Sequence, residues 1–149
     1  MRRAYESVEA AYAKQGVAPQ WPVSLVVENM PIMGATQSRV GVGHLIHVSL
    51  RAARSDMLAG LVAHEMGHIA RTEARHPSHN PAIHDHAIAR VSVPAGFRRG
   101  FPRLAHAAIN HVEDIYADDY AIAVIGTDRT RSFFAEWVGN AAATVASGT

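Results

Sequence analysis

Two histidines, His64 and His68, stand four residues apart and enclose a glutamate, Glu65, in the pattern H-E-x-x-H. On a helix this spacing places both imidazoles on one face, so both can reach a single metal ion. Imidazole suits Zn²⁺, and a catalytic zinc site takes three protein ligands and leaves a fourth position to water. A carboxylate beside the first ligand can take a proton from that water. The pattern therefore predicts a zinc site with Glu65 as its general base.

The residues around the motif predict the helix that such a site needs. Apolar residues recur at helical spacing at positions 57, 58, 61 and 62, and Ser55 or Asp56 is suited to cap the helix. Gly67 lies within this helix, where a glycine costs roughly 1 kcal/mol relative to alanine. We therefore expect another segment to approach Gly67 closely. A core helix without a metal is disfavoured, because burying two histidines and a glutamate without a shared partner is costly.

Length and composition are typical of one globular domain. The chain has 149 residues, 48% of them apolar, so a single domain over residues 1–149 is expected. The net charge of +1 gives no indication of a nucleic-acid or anionic-membrane partner. The absence of cysteine excludes disulfides and thiolate zinc ligands. Because the first residues lack the apolar run of a signal peptide and no stretch could span a bilayer, we expect a soluble, cytoplasmic protein.

The apolar patterns predict a small α+β domain. Helical spacing predicts helices at residues 3–15, 55–72, 101–125 and around Phe133 and Trp137. β-Branched residues predict a strand at 23–27 and one or two more within 39–50, with a turn at 30–38 between them. We expect a short N-terminal sheet packed on the motif helix, and a second long helix at residues 101–125.

Four histidines cluster just after the motif helix, at positions 76, 79, 84 and 86. Pro77, Asn80 and Pro81 among them predict a loop. This loop could hold a second metal, but a polar, solvated loop beside the site is the favoured interpretation. The metzincin extension H-E-x-x-H-x-x-G-x-x-H is absent, because Arg71 and Ala74 occupy its glycine and histidine positions. The third ligand must therefore come from elsewhere.

Residues 110–121, N-H-V-E-D-I-Y-A-D-D-Y-A, lie in the predicted long helix, and here the chain resembles gluzincin metallopeptidases. Within them, it resembles the HtpX and CAAX prenyl protease group and its soluble relatives, the minigluzincins. That group pairs H-E-x-x-H with a downstream helix reading E-x-x-A-D-x-x-A. Its glutamate is the third zinc ligand, and its aspartate steadies a ligand histidine. Residues 117–121 match the A-D-x-x-A half, and the resemblance covers roughly residues 20–125, implying a zincin-like domain.

The third ligand departs from the family pattern. Counting back four residues from Asp118, the glutamate position holds Asp114, and Glu113 comes one residue earlier. Geometry favours Asp114, because residues four apart share a helix face. Reach favours Glu113, because its longer side chain spans the gap between helices more easily. We expect Asp114 to be the ligand and Asp118 to lie behind it in the second shell, and Glu113 is the alternative.

The resemblance implies a zinc-dependent endopeptidase that hydrolyses a peptide or protein substrate. Such an enzyme needs a donor for the oxyanion that forms during attack, and the candidates are Tyr116, Tyr120, His106 and His111. The strand near residues 44–49 is expected to pair with an extended substrate. One alternative is a silent or latent zinc module that binds a protein partner. A helical binding protein without metal is a third class, and it requires both motifs to be coincidental.

Overall fold

The fold combines five α-helices with one three-stranded sheet in the part of the chain that is described. The computed structural model describes residues 1–147, with side chains for 1–139 and 142. The element order is α1 (Arg2–Lys14), β1 (Val23–Glu28), β2 (Gly34–Arg39), β3 (Gly43–Ser49), α2 (Leu58–Glu73), α3 (Pro81–Ala89), α4 (Phe101–Ile125) and α5 (Thr127–Ser147). The chain is therefore α+β, as predicted. Among the described residues, no helix has both the length and the apolar character needed to cross a membrane.

The sheet has the order β1-β3-β2, with β3 parallel to β1 and antiparallel to β2. The segment 30–38, which we expected to be a turn, is a strand from Gly34 onward. Apart from Thr36, its residues have low intrinsic strand propensity, and pairing with β3 decides its conformation instead. Because β3 has a partner on each side, the prediction that a substrate pairs with residues 44–49 is wrong. The free edges of the sheet belong to β1 and β2.

α2 lies at the centre of the molecule and packs against α1, α4, α5 and the sheet. Most of its side chains are buried, which is why its apolar pattern extends around the helix. Its buried side chains form one hydrophobic core with side chains of the flanking elements: Val8, Tyr12, Ile46, Val48, Ala121 and Phe133. The helix begins at Leu58 with Met57 as its N-cap residue, so neither Ser55 nor Asp56 caps it. This central position places the H-E-x-x-H motif between the sheet, α4 and α5.

The prediction that another segment approaches Gly67 is confirmed. A Cβ built on Gly67 would lie 2.9 Å from the Cα atom of Ala117 in α4. The two helices therefore cross backbone to backbone at this point. Since Asp114 and Asp118 flank Ala117 in the same helix, the crossing brings both carboxylates next to the motif.

The histidine-rich segment after α2 is helical, so the prediction of a loop is wrong. Pro77–His79 forms a single 3-10 turn, and α3 begins two residues later at Pro81. The Asn80 side chain accepts a hydrogen bond from the Ala82 amide and caps α3. Proline is suited to the first turn of a helix because its missing N–H has no partner there. The residues that indicated a loop are here the ones that start helices.

Candidate metal centre

Three potential metal ligands meet between α2 and α4: His64, His68 and Asp114. The Nε2 atoms of the two histidines are 3.1 Å apart. Oδ1 of Asp114 lies 3.6 Å from His64 Nε2 and 3.4 Å from His68 Nε2. Ligands bound to a tetrahedral zinc ion at roughly 2.0–2.1 Å are about 3.3 Å from one another. The three donor atoms therefore fit one tetrahedral ion and leave its fourth position to another ligand.

Asp114, and not Glu113, lies beside the two histidines. The Oε1 atom of Glu113 is 3.8 Å from Nδ1 of His84 in α3, and burial raises the pKa of this carboxyl. A step of one residue turns a helical side chain by about 100°, so neighbouring carboxylates face different directions. Of the two carboxylates, Asp114 is therefore the one that meets both histidines.

Asp118 contacts His64 from the side opposite the ligand position. Its Oδ1 is 2.6 Å from Nδ1 of His64, which leaves Nε2 directed at the other ligands. Burial alone would lower the pKa of His64, but hydrogen bonds to Asp114 and Asp118 outweigh it and raise the pKa to about 10. Burial would likewise raise the pKa of Asp114, and hydrogen bonds to His64 and His68 hold it well below its usual range. A cation that binds here therefore competes with a proton for His64.

His68 also has a partner behind its ring, and the sequence patterns did not indicate it. Nδ1 of His68 is 2.8 Å from Nε2 of His79, in the 3-10 turn after α2. Burial, with a smaller contribution from His68, lowers the pKa of His79 to about 3. His79 is one of the four clustered histidines, but nothing in their spacing singles it out.

Glu65 lies beneath β2, next to the candidate ligands. Its side chain is buried, and its Oε2 accepts a hydrogen bond of 2.7 Å from the hydroxyl of Thr36. A Cβ built on Gly34 would lie 2.9 Å from Oε1 of Glu65, so the strand passes directly over the carboxylate. Neither Thr36 nor Gly34 belongs to a motif, and both were missed because the segment that carries them was expected to be a turn.

A cleft of about 1430 Å³ opens over the three ligand residues and Glu65. One wall is β2, and another is α5, which contributes Phe133 and Trp137. The ring of Phe133 packs on the ring of His64 with 5.2 Å between their centroids. The cleft exceeds the volume of roughly 300–1,000 Å³ that suits a small ligand, so it has room for an extended chain.

The predicted transition-state donors do not line this cleft. The guanidinium of Arg71 packs over the rings of Tyr116 and Tyr120, at 5.3 and 4.4 Å from their centroids. His106 is exposed on the first half of α4. His111 is also largely exposed, but its Nδ1 is 4.0 Å from Oδ2 of Asp114. Of the four candidates, His111 is therefore the one with a contact to a ligand residue.

Fold and site together define an α+β protein with a His-His-Asp cluster in an open cleft. The chain belongs to a family of unknown function, DUF5781, whose family model matches residues 13–148. Comparison with curated proteins and with solved structures gives no match. All residues of the candidate centre lie within the matched region.

Proposed function

We propose that this protein is a zinc-dependent endopeptidase of the gluzincin type. The observation that carries the proposal is the triangle of His64 Nε2, His68 Nε2 and Asp114 Oδ1, with sides of 3.1 to 3.6 Å. Its dimensions suit a tetrahedral zinc ion, and the ligand set of two histidines and one carboxylate is that of a catalytic site with an open position. A glutamate directly after the first histidine and an open cleft support hydrolysis rather than a purely structural role for the metal.

The chemistry divides between the cation and the chain. Zinc, when bound, supplies a Lewis acid that polarises the scissile carbonyl and lowers the pKa of water. Glu65 takes a proton from the attacking water and then gives it to the leaving amine. The Thr36 hydroxyl donates to Oε2 of Glu65 and so fixes the orientation of this carboxylate. Asp118 fixes the ring of His64, which keeps one nitrogen directed at the cation.

The free edge of β2 is the element that would bind an extended substrate. Residues 34, 35, 36 and 38 of this strand line the cleft, and the strand passes over Glu65. A peptide can add to such an edge through main-chain hydrogen bonds, with alternate side chains directed into the cleft. One of these side chains would contact Phe133 and Trp137, so we expect a preference for a large apolar residue near the scissile bond.

The test combines metal analysis with a peptide-library cleavage assay on the full chain. We expect about one zinc per chain, and cleavage that a chelator abolishes and added zinc restores. Glu65→Gln should retain the zinc and lose cleavage, because Gln is nearly isosteric but cannot accept a proton. Glu136→Gln, an exposed glutamate on α5, is the matched control and should cleave as the wild type does.

Each other outcome has a distinct meaning. A wild-type chain that binds no zinc, or a Glu65→Gln variant that cleaves at the wild-type rate, would overturn the proposal. A chain that holds zinc through His64 and His68 but cleaves no peptide would instead be a metallopeptidase-like module that acts by partner binding.

A further inference from the structure

A chain of hydrogen-bonded side chains leads from the candidate metal centre into the histidine-rich segment. Nδ1 of His68 lies 2.8 Å from Nε2 of His79, and Nδ1 of His79 lies 2.8 Å from Oγ of Ser78. Ser78 Oγ is in turn 2.7 Å from Nδ1 of His76. Hydrogen bonds therefore link four side chains in a series that begins at a candidate ligand: His68, His79, Ser78 and His76.

The hydrogens along this chain follow from the first member. If Nε2 of His68 faces a cation, its Nδ1 carries the hydrogen and must donate it. His79 then accepts at Nε2, so its own Nδ1 carries a hydrogen and donates to Ser78. The Ser78 hydroxyl donates to Nδ1 of His76, which also lies 3.3 Å from the Ser78 amide. When each hydrogen bond is donated outward from His68 in this way, every side chain of the series has a partner. His79 is then a neutral imidazole that accepts a hydrogen bond from His68.

The far end of the chain is held in place by α4. Ser78 is buried, and the ring of His76 packs on the ring of Tyr116 with 4.9 Å between centroids. Arg71 of α2 donates a hydrogen bond of 3.2 Å to the carbonyl of Tyr116. His79 is thus tied to both of the helices that carry the candidate ligands.

We propose that His79 is a positioning residue of the metal centre and holds His68 in ligand orientation, as Asp118 holds His64. The inference rests on the proposed zinc site. The two ligand histidines then differ in their support, because Asp118 is a carboxylate and His79 is a neutral imidazole. His79 orients its ligand without adding negative charge to a site that already contains Asp114, Asp118 and Glu65.

The experiment compares two substitutions at one position. His79→Phe keeps a ring but removes the acceptor, whereas His79→Gln keeps an acceptor oxygen. We expect His79→Phe to weaken zinc binding by about 10–100-fold, the usual effect of losing such a partner, and His79→Gln to recover most of the loss. Ser78→Ala, one link further out, should cause a smaller loss. His86→Phe, at an exposed histidine of α3, is the matched control and should bind zinc as the wild type does.

Three measurements together separate positioning from general stability and from direct ligation. Zinc affinity is measured by competition with a chromogenic chelator, and the visible spectrum of the Co²⁺-loaded protein reports the ligand geometry. Thermal unfolding with excess chelator should be similar for His79→Gln, Ser78→Ala and the wild type, because the predicted defect is in the metal site.

The inference is overturned if His79→Phe binds zinc like the wild type while His64→Ala does not bind it. It is also overturned if the phenylalanine and glutamine variants lose equal affinity, or if the Co²⁺ spectrum of His79→Gln shows that a nitrogen ligand is lost. A wild-type chain without zinc affinity would instead overturn the proposed function, and this inference with it. Should His79→Phe fail to fold, the glutamine and Ser78→Ala variants still decide the question.

Discussion

Gly67 of α2 lies against the backbone of Ala117 in α4, so closely that a Cβ on the glycine would stand 2.9 Å from the Ala117 Cα. This crossing explains how an aspartate, rather than a longer glutamate, can reach the two histidines of α2. Asp114 is one methylene shorter, yet its Oδ1 comes within 3.4 and 3.6 Å of the two histidine Nε2 atoms. We infer that Gly67 and Asp114 depend on each other. Gly67 lets the two helices cross closely, and a close crossing leaves little room for a ligand longer than aspartate.

Gly67→Ala should therefore damage both stability and metal binding. The added methyl group would meet backbone atoms of Ala117 that cannot rotate away, so α4 must shift outward. Overpacking of this kind costs about 1–3 kcal/mol in unfolding free energy. Because Asp114 and Asp118 move with α4, zinc affinity should fall as well. The measurements are urea unfolding and chelator competition.

Gly96→Ala is the control for that substitution, since a Cβ at Gly96 would meet nothing within 4 Å. It should leave both the unfolding free energy and zinc affinity near their wild-type values. Wild-type zinc affinity in a folded Gly67→Ala protein would show that the crossing does not set the position of Asp114.

Three carboxylates on α4 should differ in their effect on zinc affinity. Asp114→Ala deletes a bond to the metal and should cause the largest loss. Asp118→Ala loosens the ring of His64 and should cost about 10–100-fold. Glu113→Ala should change affinity least, because this side chain faces His84 at 3.8 Å. Competition with a chromogenic chelator ranks the three. If Glu113→Ala proved the most damaging, α4 would be rotated from the orientation described here.

Metal removal should lower the stability of the wild-type chain and leave His64→Ala unaffected. A ligand that binds the folded state alone stabilises it by about 4 kcal/mol at a concentration 1,000 times its Kd. We therefore expect a chelator to lower the Tm of the wild type, and zinc to restore it. In His64→Ala neither addition should shift the Tm, whereas His86→Ala should behave as the wild type. An equal chelator effect in His64→Ala would place the stabilising metal elsewhere.

The parts of the site that lie on single helices could be predicted from the sequence, because helical spacing is a local property. The long helix at 101–125 followed from helical spacing, and the close approach at Gly67 followed from the cost of a glycine inside a helix. The place of Asp118 behind a ligand histidine followed from the family resemblance. Thr36 could not be predicted, since β2 exists only through its pairing with β3. His79 could not be predicted either, because its position depends on how a proline-started turn folds back onto α2.

The buried tyrosine that joins α1 to α2 gives a prediction about stability and its pH dependence. The hydroxyl of Tyr12 donates a hydrogen bond of 2.7 Å to the carbonyl of Ala63, next to His64. Tyr12→Phe should lower the unfolding free energy by about 0.5–1.5 kcal/mol, the usual net value of such a bond.

The stability that Tyr12 contributes should also depend on pH in the alkaline range. Burial, and secondarily the neighbouring Tyr120, raise the pKa of Tyr12 above its ordinary value of 10.0. The unfolded chain therefore ionises this group first, so its contribution to stability is present below pH 10 and is lost progressively above it. Denaturant unfolding between pH 9 and about 11 should show a shallower decline for Tyr12→Phe than for the wild type. If stability declined in parallel in the two proteins, Tyr12 would have the same pKa in the folded and the unfolded chain.

Thr36→Val should separate positioning of the general base from metal binding. Valine has nearly the shape of threonine but cannot donate to Glu65, whose Oε2 accepts the Thr36 hydroxyl at 2.7 Å. Because none of the three candidate ligands touches Thr36 through a hydrogen bond of the described residues, zinc affinity should stay at its wild-type level. Peptide cleavage should fall by roughly 10-fold, since a carboxylate that rotates freely spends less time in reach of the water. Thr36→Ser, which keeps the hydroxyl, should retain most of the activity. If valine and serine variants cleave equally well, the hydroxyl does not orient Glu65, and β2 contributes only the edge that binds substrate.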